Sequence, residues 1–416
     1  MSFTSLFRHT EKATVEQGAG ALWALIDIQS GLVRGSLVLL NPGKPSRILY
    51  TTQHQLPHKT IASSAYITKM MLKGVSEVAA ELSKKGFISA DVGGTVDSSG
   101  QQFGYHGNLA GVHYILSSPW VISQTKTVKI AYDKPTVITQ ATVQGVIDRA
   151  RAELEAGEFN FDAISIEQKI FEVKLNGYSV GNYEGKTASN LEVSCAISVS
   201  SNKILEKIAT HAQRSLHTKR FRYHSALLLE YAGLRSVLRD HQEYMVIHAH
   251  SELTDVVVVR AGMCAFLSSF PFGIFTVLRK IARTTRQTVS IADSTLALYD
   301  HSNESSGSIP KSLSREEQIR LEPVISAIGK GWIHDLHAAL AHAGERMVIP
   351  RLIVLSAHSH LSFFKSELEK SAPVGSAPAI SALELPVIEP FVQYDPGQVR
   401  SLRMGIYTTA IANLEN

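Results

Sequence analysis

The stretch Ile26-Asp27-Ile28-Gln29-Ser30-Gly31-Leu32-Val33-Arg34-Gly35-Ser36-Leu37 indicates how the chain begins to fold. It lies within the largely apolar segment 21–40 and joins two apolar runs through a short polar turn, which predicts a β-hairpin entered by a buried strand. A tight turn with free backbone N–H groups beside one carboxylate can bind a phosphate and orient the waters of its Mg²⁺. An ordinary hairpin with an aspartate in its turn is the alternative, so the motif alone leaves both interpretations open.

The composition is that of a globular chain and argues against several functional classes. The 416 residues include 41 Lys+Arg and 37 Asp+Glu, a net charge of +4, and 44% are hydrophobic. This length predicts about two to four compact units, and the small, scattered charge excess argues against nucleic acid as a partner. Cys195 and Cys264 are too few and too far apart for a disulfide framework or a thiolate zinc site, which indicates a reducing cytosol.

Two segments have lengths or positions typical of export or membrane-spanning signals. The polar segment 1–17 has no apolar core of the secretory kind, so export is not expected. Segment 261–278 runs 18 residues without a charge, which is the length of a spanning helix. It contains Pro271 and Gly273 in a turn and follows four valines, so we expect two strands and a loop instead.

The remaining periodicity alternates between strand and helix, which predicts an α/β chain with an insertion. The Gly/Ser/Gln-rich segment 91–111 contains Asp91-Val92-Gly93-Gly94-Thr95-Val96-Asp97, but polar surroundings favour a flexible connection over a phosphate loop. Segment 371–396 is Pro-rich and is predicted to be extended. Strands are predicted over 112–130, 163–175, 191–199, 244–259 and 351–355. Helices are predicted over 63–85, 139–156, 202–216, 274–284, 316–342, 361–370 and 398–414.

In this context the hairpin at 26–37 resembles the first phosphate loop of the actin-like ATPases. The order of the later segments is similar to that of the cell-division protein FtsA and the pilus-assembly protein PilM. Each motif is weak alone, but their order and spacing together cover 21–414. The segments that carry the resemblance are Ser117-Ser118-Pro119-Trp120-Val121, Thr125-Lys126, 171–178, Gly185-Lys186, 191–193, Tyr231-Ala232-Gly233-Leu234, 236–238, 253–262 and Ser269-Phe270-Pro271-Phe272-Gly273.

The resemblance implies an α/β, actin-like fold of two duplicated α/β halves around a cleft, with a small inserted α+β subdomain of the SHS2 type. The implied units are 1–111 for the first part of half I, 112–175 for the inserted subdomain, 176–243 for the rest of half I and the connecting helix, 244–370 for half II, and 371–416 for an extended segment and closing helix.

The resemblance also implies an ATP and Mg²⁺ site between the halves, but two loops depart from the family pattern. In the second loop His248 and His250 stand where the family has Asp and Gly, and an imidazole would block the close backbone approach that a glycine permits. In the adenosine loop, 354–360 has lost the family's glycine pair. We therefore expect nucleotide binding to be weakened or lost. The residues that would carry a retained site are Asp27, Gln29, Ser30, Gly31, Thr254, Asp255 and Ser356.

The two departures share the pattern His-x-His. Residues i and i+2 of a strand point the same way, so His248 with His250 and His358 with His360 are candidate ligands for a divalent metal near Asp27. The alternative is that each pair is solvated, because two such pairs are not improbable among 17 histidines. No hydrolase elbow, Gly-x-x-x-x-Gly-Lys loop or His-Glu-x-x-His motif occurs, so no catalytic residue is assigned.

The expected function is a cytoplasmic scaffold for cell division or a type IV pilus, acting by protein binding. Segment 401–412 has one basic residue and no Trp or Phe, unlike a membrane-binding amphipathic helix. We therefore expect no direct membrane insertion, and recruitment to the inner face of the membrane through a partner's cytoplasmic peptide. A homo-oligomer or filament is a further expected partner. The alternative is an active ATPase or a nucleotide-switched polymer of the same fold.

Overall fold

The first hairpin forms where the sequence predicts it. In the computed structural model β1 (Ala21–Ile28) and β2 (Leu32–Leu40) pair antiparallel, with Asp27 opposite Arg34. The residues described are 20–41, 44–57, 63–86, 95–96, 102–103, 109–156, 162–303, 313–342, 349–371, 379–382 and 385–415, with backbone alone at 95–96, 102–103 and 301–303. The predicted connection at 91–111 lies outside these residues, apart from 109–111 and the two-residue strands β4 (Thr95–Val96) and β5 (Gln102–Phe103).

The first half is built on a six-stranded sheet around this hairpin. β1 pairs in parallel with β6 (Gly111–Leu116), all of whose residues are buried because helices cover both faces of the sheet. The strand order is β11-β6-β1-β2-β3-β17. The remaining strands, which the sequence analysis did not predict, are β3 (Ser46–Gln55), β11 (Phe221–Ser225) and β17 (Val392–Tyr394).

The second half repeats this topology in a five-stranded sheet. Its order is β14-β13-β12-β15-β16, again an antiparallel meander followed by parallel strands. The strands predicted over 244–259 are β12 and β13, which a tight turn at 250–253 separates. The repeated topology confirms the predicted duplication of α/β halves. The strands are β12 (Tyr244–Ala249), β13 (Thr254–Arg260), β14 (Met263–Phe270), β15 (Leu352–Ala357) and β16 (Ala379–Ala382).

The run Val256–Val259 shows why β13 is apolar throughout. Val256 and Val258 pack into the core beneath the helices of the second half, whereas Val257 and Val259 pack toward the first half. The uncharged segment 261–278 is β14, a turn and the start of a helix, so the second expected strand there is wrong. Over the described ranges no helix is both long and apolar enough to cross a membrane.

An antiparallel four-stranded sheet with one helix forms the inserted subdomain. Its order is β7-β10-β8-β9, so it reaches Ser201, whereas β6 at 111–116 belongs to the first half. These limits differ from the predicted 112–175. Strand β10 belongs to this sheet because it pairs with β7 on one side and with β8 on the other. A sequence does not show such long-range pairing. The elements are β7 (Ile122–Val137), α2 (Gln140–Glu155), β8 (Ala163–Leu175), β9 (Tyr178–Ser179) and β10 (Thr187–Ser201).

The helices of each half cover the outer faces of the sheets. The first sheet packs against α1 (Ser64–Glu81), which ends in a π turn at Leu82–Gly86, and against α3 (Asn202–Leu216). The second sheet packs against α5 (Ile274–Thr285), α6 (Val289–Asn303), α7 (Arg315–Ala341) and α8 (Leu361–Ser371). Five of these six helices match predicted helices, and α6 was not predicted. A capping box between Ser314 and Glu317 begins α7.

Two further helices lie between the sheets. The predicted connecting helix is α4 (Ala226–Val237), and the closing helix is α9 (Leu402–Glu415). They cross closely at Gly233, where an added Cβ would lie 2.4 Å from the carbonyl oxygen of Ile406. Because their side chains enter the cores on both sides, these helices place Glu230 and Arg403 at the back of the cleft. The prediction that 371–396 is an extended segment is confirmed only in part, because Leu385–Val387 forms a 3₁₀ turn.

Candidate functional site

The two predicted phosphate loops face each other across the cleft. The first follows β1 at Gln29–Gly31, and the second joins β12 to β13 at 250–253. Each is a tight turn closed by its own backbone: Gln29 N–H donates to Leu32 O at 2.9 Å, and His250 N–H donates to Leu253 O at 2.8 Å. The duplicated topology therefore brings together the loops that the sequence analysis singled out.

The loops are in direct contact. The backbone N–H of Glu252 donates to Ser30 Oγ at 3.2 Å. A Cβ added to Gly31 would lie 2.0 Å from Ser251 Oγ and 2.6 Å from Ser251 Cβ. A side chain at position 31 would force the two loops apart, so their close approach depends on this glycine.

Arg403, from the closing helix α9, occupies the back of the cleft. Its side chain is 8% exposed, and its Nε lies 3.6 Å from Asp27 Oδ2. The Nη2 group donates to Ser117 Oγ at 2.8 Å. Gln29 Nε2 donates to the same Asp27 oxygen at 2.6 Å. The fully buried Asp27 carboxylate thus lies beside the guanidinium of Arg403, which supplies the opposite charge that a buried carboxylate needs.

His248 is held between Arg403 and the loop after β15. Arg403 Nη1 lies 2.6 Å from His248 Nε2, and Ser356 Oγ lies 2.6 Å from His248 Nδ1. Arg403 Nη1 also lies 2.9 Å from His248 Nδ1, and because a guanidinium cannot accept a hydrogen bond, the imidazole is the acceptor toward Arg403. Burial, reinforced by Arg403, holds the pKa of His248 well below its usual value. This histidine is a neutral part of the cleft.

His250 is paired with the aspartate of the second loop. Its Nε2 donates to Asp255 Oδ2 at 2.7 Å, and Ser269 Oγ donates to Asp255 Oδ1 at 2.6 Å. Burial acts to raise the pKa of Asp255, but His250 and Ser269 lower it overall. Both oxygens of Asp255 are therefore engaged by the chain's own donors.

Glu230, on α4, is the third buried carboxyl of the cleft. Its Oε1 lies 3.7 Å from His248 Nδ1. Burial raises the pKa of Glu230 to about 7, although Arg403 opposes the shift. A carboxyl group in this position changes its charge near neutral pH.

Glu230→Gln is expected to change how stability depends on pH. Between the usual pKa of 4.5 and about 7, the folded chain binds the Glu230 proton more strongly than the unfolded chain does. The stronger proton binding adds to the free energy of unfolding at low pH. This added stability falls by up to about 1.4 kcal/mol per pH unit as the pH rises through that interval. Urea unfolding of both proteins from about pH 5 to about pH 8 should show the variant gaining stability relative to the wild type. Parallel profiles would contradict the shift, and exposed Glu153→Gln is the matched control.

The remaining predicted nucleotide ligand also points into the protein. Thr254 Oγ1 donates to the carbonyl of Phe272 at 2.6 Å and accepts from Trp332 Nε1 at 3.0 Å. Gly31 contacts Ser251 and the Arg403 guanidinium lies beside Asp27, so these site residues also contact other groups of the chain. The predicted site residues lie on the two facing loops and nearby strands, and several of them contact one another. Asp27 Oδ1 and Ser251 Oγ are buried without a hydrogen-bond partner among the described residues.

The four histidines of the His-x-His pairs do not converge on one point. The rings of His248 and His250 are 4.0 Å apart, but each has its own partner. His358 Nε2 lies 2.9 Å from Gln55 Nε2, whereas His360 Nε2 lies 2.7 Å from Asp293 Oδ1 on α6. Among the described residues, no group of three or more His, Cys, Asp or Glu could hold a metal ion. The geometry does not support the predicted metal site.

Arg403, Glu230 and Ser117 are the cleft residues that the sequence analysis missed. Arg403 was noted only as the single basic residue of 401–412. A lone arginine at the start of a segment with no other charge before Glu415 is a usable signal, because a buried charge needs a partner. No local pattern distinguishes Glu230, since its burial depends on the crossing of α4 and α9.

Comparisons with known proteins give one informative result. No family model and no curated protein matches the sequence. The chain is similar to a solved structure of the PilM-PilN type IV pilus biogenesis complex, with a TM-score of 0.59 and 12% identity over 94% of this chain and 96% of that chain. A Bacteroides thetaiotaomicron protein of actin-like ATPase fold and unknown function matches at a TM-score of 0.37 and 10% identity over 94% of this chain and 96% of that chain.

The same coverage of this chain is found with (R)-2-hydroxyglutaryl-CoA dehydratase component A of Acidaminococcus fermentans, at a TM-score of 0.37 and 10% identity over 94% of this chain and 97% of that chain. Identities this low concern the fold alone. Two duplicated halves, facing hairpin loops and an inserted antiparallel subdomain agree with the PilM-PilN match along nearly the whole chain. The chain has the actin-like ATPase fold, of the type found in the PilM-PilN structure.

Proposed function

We propose that this chain is a scaffold protein of a membrane-associated machine, of the type IV pilus assembly kind, and that it acts by binding proteins. The similarity to the PilM-PilN complex supports the assignment of the machine. By analogy with that complex, the partner is a membrane protein that presents a cytoplasmic peptide. The chain then lies at the inner face of the membrane without inserting into it. The predicted cell-division role and filament formation stay predictions.

The observation that carries the proposal is the close contact between the two loops and the cation that the chain places between them. Arg403 lies beside Asp27, and Gly31 contacts Ser251, so the chain supplies the counter-charge that a phosphate-binding site would otherwise take from Mg²⁺. The cleft then holds the two halves together as part of the native structure. A nucleotide has to separate the loops before it binds, which opposes a cycle of ATP turnover.

Thermal unfolding with and without excess MgATP tests this proposal. A ligand at about 100 times its dissociation constant adds about 2.7 kcal/mol to the native state. We expect no shift for the metal-stripped wild type or for Asp27→Ala. A shift in the wild type that disappears in Asp27→Ala would instead establish a nucleotide switch or an active ATPase.

Fractionation tests the partner side of the proposal. The purified chain should not sediment with liposomes, whereas in lysates of cells that encode it the chain should sediment with the membranes. High salt or mild protease treatment of exposed membrane proteins should release it. Sedimentation of the pure chain with liposomes would contradict recruitment through a partner.

A further inference from the structure

Two buried histidines are in contact outside the cleft. His113 lies on β6 and His224 on β11, and the register of these parallel strands places both side chains on the same face of the first sheet. His113 Nδ1 lies 3.0 Å from His224 Nε2. The ring of Trp23 contacts that of His113 at a centroid distance of 4.5 Å. The two histidine side chains are 0% and 8% exposed, so the pair is enclosed by protein.

A carboxylate faces the outer nitrogen of each histidine. His113 Nε2 lies 3.8 Å from Glu415 Oε1 at the end of α9, and His224 Nδ1 lies 3.7 Å from Glu167 Oε1 on β8. Both nitrogens are buried and have no hydrogen-bond partner among the residues that the structure describes. The four side chains form a row that runs from the closing helix through the first sheet to the inserted subdomain.

This row lacks one proton when both histidines are neutral. Three positions need a ring proton: the contact between the two rings, the nitrogen that faces Glu415 and the nitrogen that faces Glu167. Two neutral imidazoles carry two ring N–H protons in total, so one bare nitrogen always faces a carboxylate. A third proton fills every position, because an imidazolium donates from both of its nitrogens. The geometry therefore favours a histidine pair with one positive charge.

The surrounding charges place the third proton on His224. Arg222 bonds to Glu415, and Arg220 Nη2 lies 3.8 Å from the same carboxylate, so cations already balance that end of the row. Burial, reinforced by His224 and the two arginines, holds the pKa of His113 well below its usual value. His113 therefore stays neutral and accepts the hydrogen bond from His224.

Glu167 meets the histidine pair from the inserted subdomain. Its charged neighbour on β8 is Lys169, whose pKa is lowered by burial. Glu167 Oε2 also accepts the backbone N–H of Ser225 at 3.0 Å, and the hydroxyl of Ser225 lies 2.8 Å from Ser123 Oγ on β7. Glu167 thus lies where the inserted subdomain joins the first half. A proton on His224 Nδ1 adds a charge-assisted contact to this joint.

We propose that His224 is a pH-sensitive contact that holds the inserted subdomain against the first half when it is protonated and weakens this hold when it is neutral. His113 is the positioning residue, since its contact with His224 Nε2 directs Nδ1 toward Glu167. Histidine side chains change their charge between about pH 5 and about pH 8. As the pH rises through this range, a bare nitrogen comes to face a carboxylate, and the joint opens more often.

Hydrogen exchange of the Ser225 amide tests this contact, because that amide bonds directly to Glu167. The full chain is measured from about pH 5.5 to about pH 8, with correction for the intrinsic effect of pH on the chemical rate. We expect the corrected exchange to become faster as the pH rises, by up to about 10-fold per pH unit, the limit for release of one proton. His224→Gln should exchange fast at every pH, because glutamine keeps a polar group near the Nε2 position and has none at Nδ1.

Two further variants separate this contact from other effects of pH. Exposed His337→Gln on α7 is the matched control and should keep the wild-type dependence. Glu167→Gln still accepts from Ser225 but lacks the charge that favours the proton, so its dependence should move to lower pH. This variant decides the proposal if His224→Gln does not fold. Glu230 is present in every variant, so its titration cancels in the comparison.

Three results would overturn the proposal. Corrected exchange at Ser225 that does not change with pH in the wild type would show that the joint does not respond to a proton. A dependence that persists in His224→Gln, or is unchanged in Glu167→Gln, would place the titrating group elsewhere. None of these results bears on the scaffold function, which the fractionation experiment tests.

Discussion

Arg403→Met is expected to lower the free energy of unfolding by about 3–5 kcal/mol, the usual cost of removing one partner from a buried ion pair. The variant loses the hydrogen bond to Ser117 Oγ and the cation beside Asp27. The nearby carboxyls of Asp27, Glu230 and Asp255 would then remain buried without it. Methionine has a similar length, so the loss is one of charge more than of volume.

Urea unfolding at neutral pH measures this effect. Arg400→Met is the control, since that arginine is 58% exposed and makes a single ion pair with Glu389 at 3.5 Å. It should change stability by less than about 0.5 kcal/mol. Asp27→Asn combined with Arg403→Met should recover part of the loss, because it removes one unpaired charge. A loss below about 1 kcal/mol for Arg403→Met would show that Arg403 does not hold the cleft together.

Gly31→Ala is expected to destabilise the protein by about 1–3 kcal/mol, the usual cost of overpacking a closely packed site. The new Cβ would lie 2.6 Å from Ser251 Cβ, which is not the end of a flexible side chain. The two loops would therefore have to move apart. Hydrogen exchange at 27–31 and 250–253 should become faster than in the wild type.

Two further variants show whether the contact is the cause. Gly145→Ala, on α2, has no atom within 4 Å of the added Cβ and should stabilise by about 0.5–1 kcal/mol through helix propensity. Ser251→Gly in the Gly31→Ala background should restore most of the lost stability. If Gly31→Ala unfolds like the wild type, the loops are separated in solution and the cleft has room for a ligand.

Much of the fold was accessible from local pattern. The apolar runs around Gln29–Gly31 predicted the first hairpin, and helical periodicity predicted α1, α2 and α3 nearly to their ends. The elements that were missed are those whose stability comes from long-range pairing. β11 is five residues long and is held by β6, and β3 is held by β2, so neither has a strong signal of its own.

The candidate site also contains some residues that the sequence identified and others that only the fold brings together. Asp27 and Gly31 were identified from a local turn pattern, whereas Asp255, His248 and His250 were identified by comparison with the family pattern of the second loop. Arg403 is 376 positions from Asp27, and no spacing rule relates them. The sheet that contains β7 and β8 extends beyond the predicted 112–175, because β10 pairs with both of these strands.

Residue type and local periodicity are enough to predict α/β halves and their turns, because these depend on neighbours a few positions away, and comparison with the family pattern identified the altered second loop. Whether the altered loop leaves a usable cleft is a question of distance between segments far apart in the chain. Packing answers it: α4 and α9 cross closely at Gly233, Arg403 reaches Asp27, and Gly31 meets Ser251. Burial then makes these contacts strong, because charges removed from water must be paired within the protein.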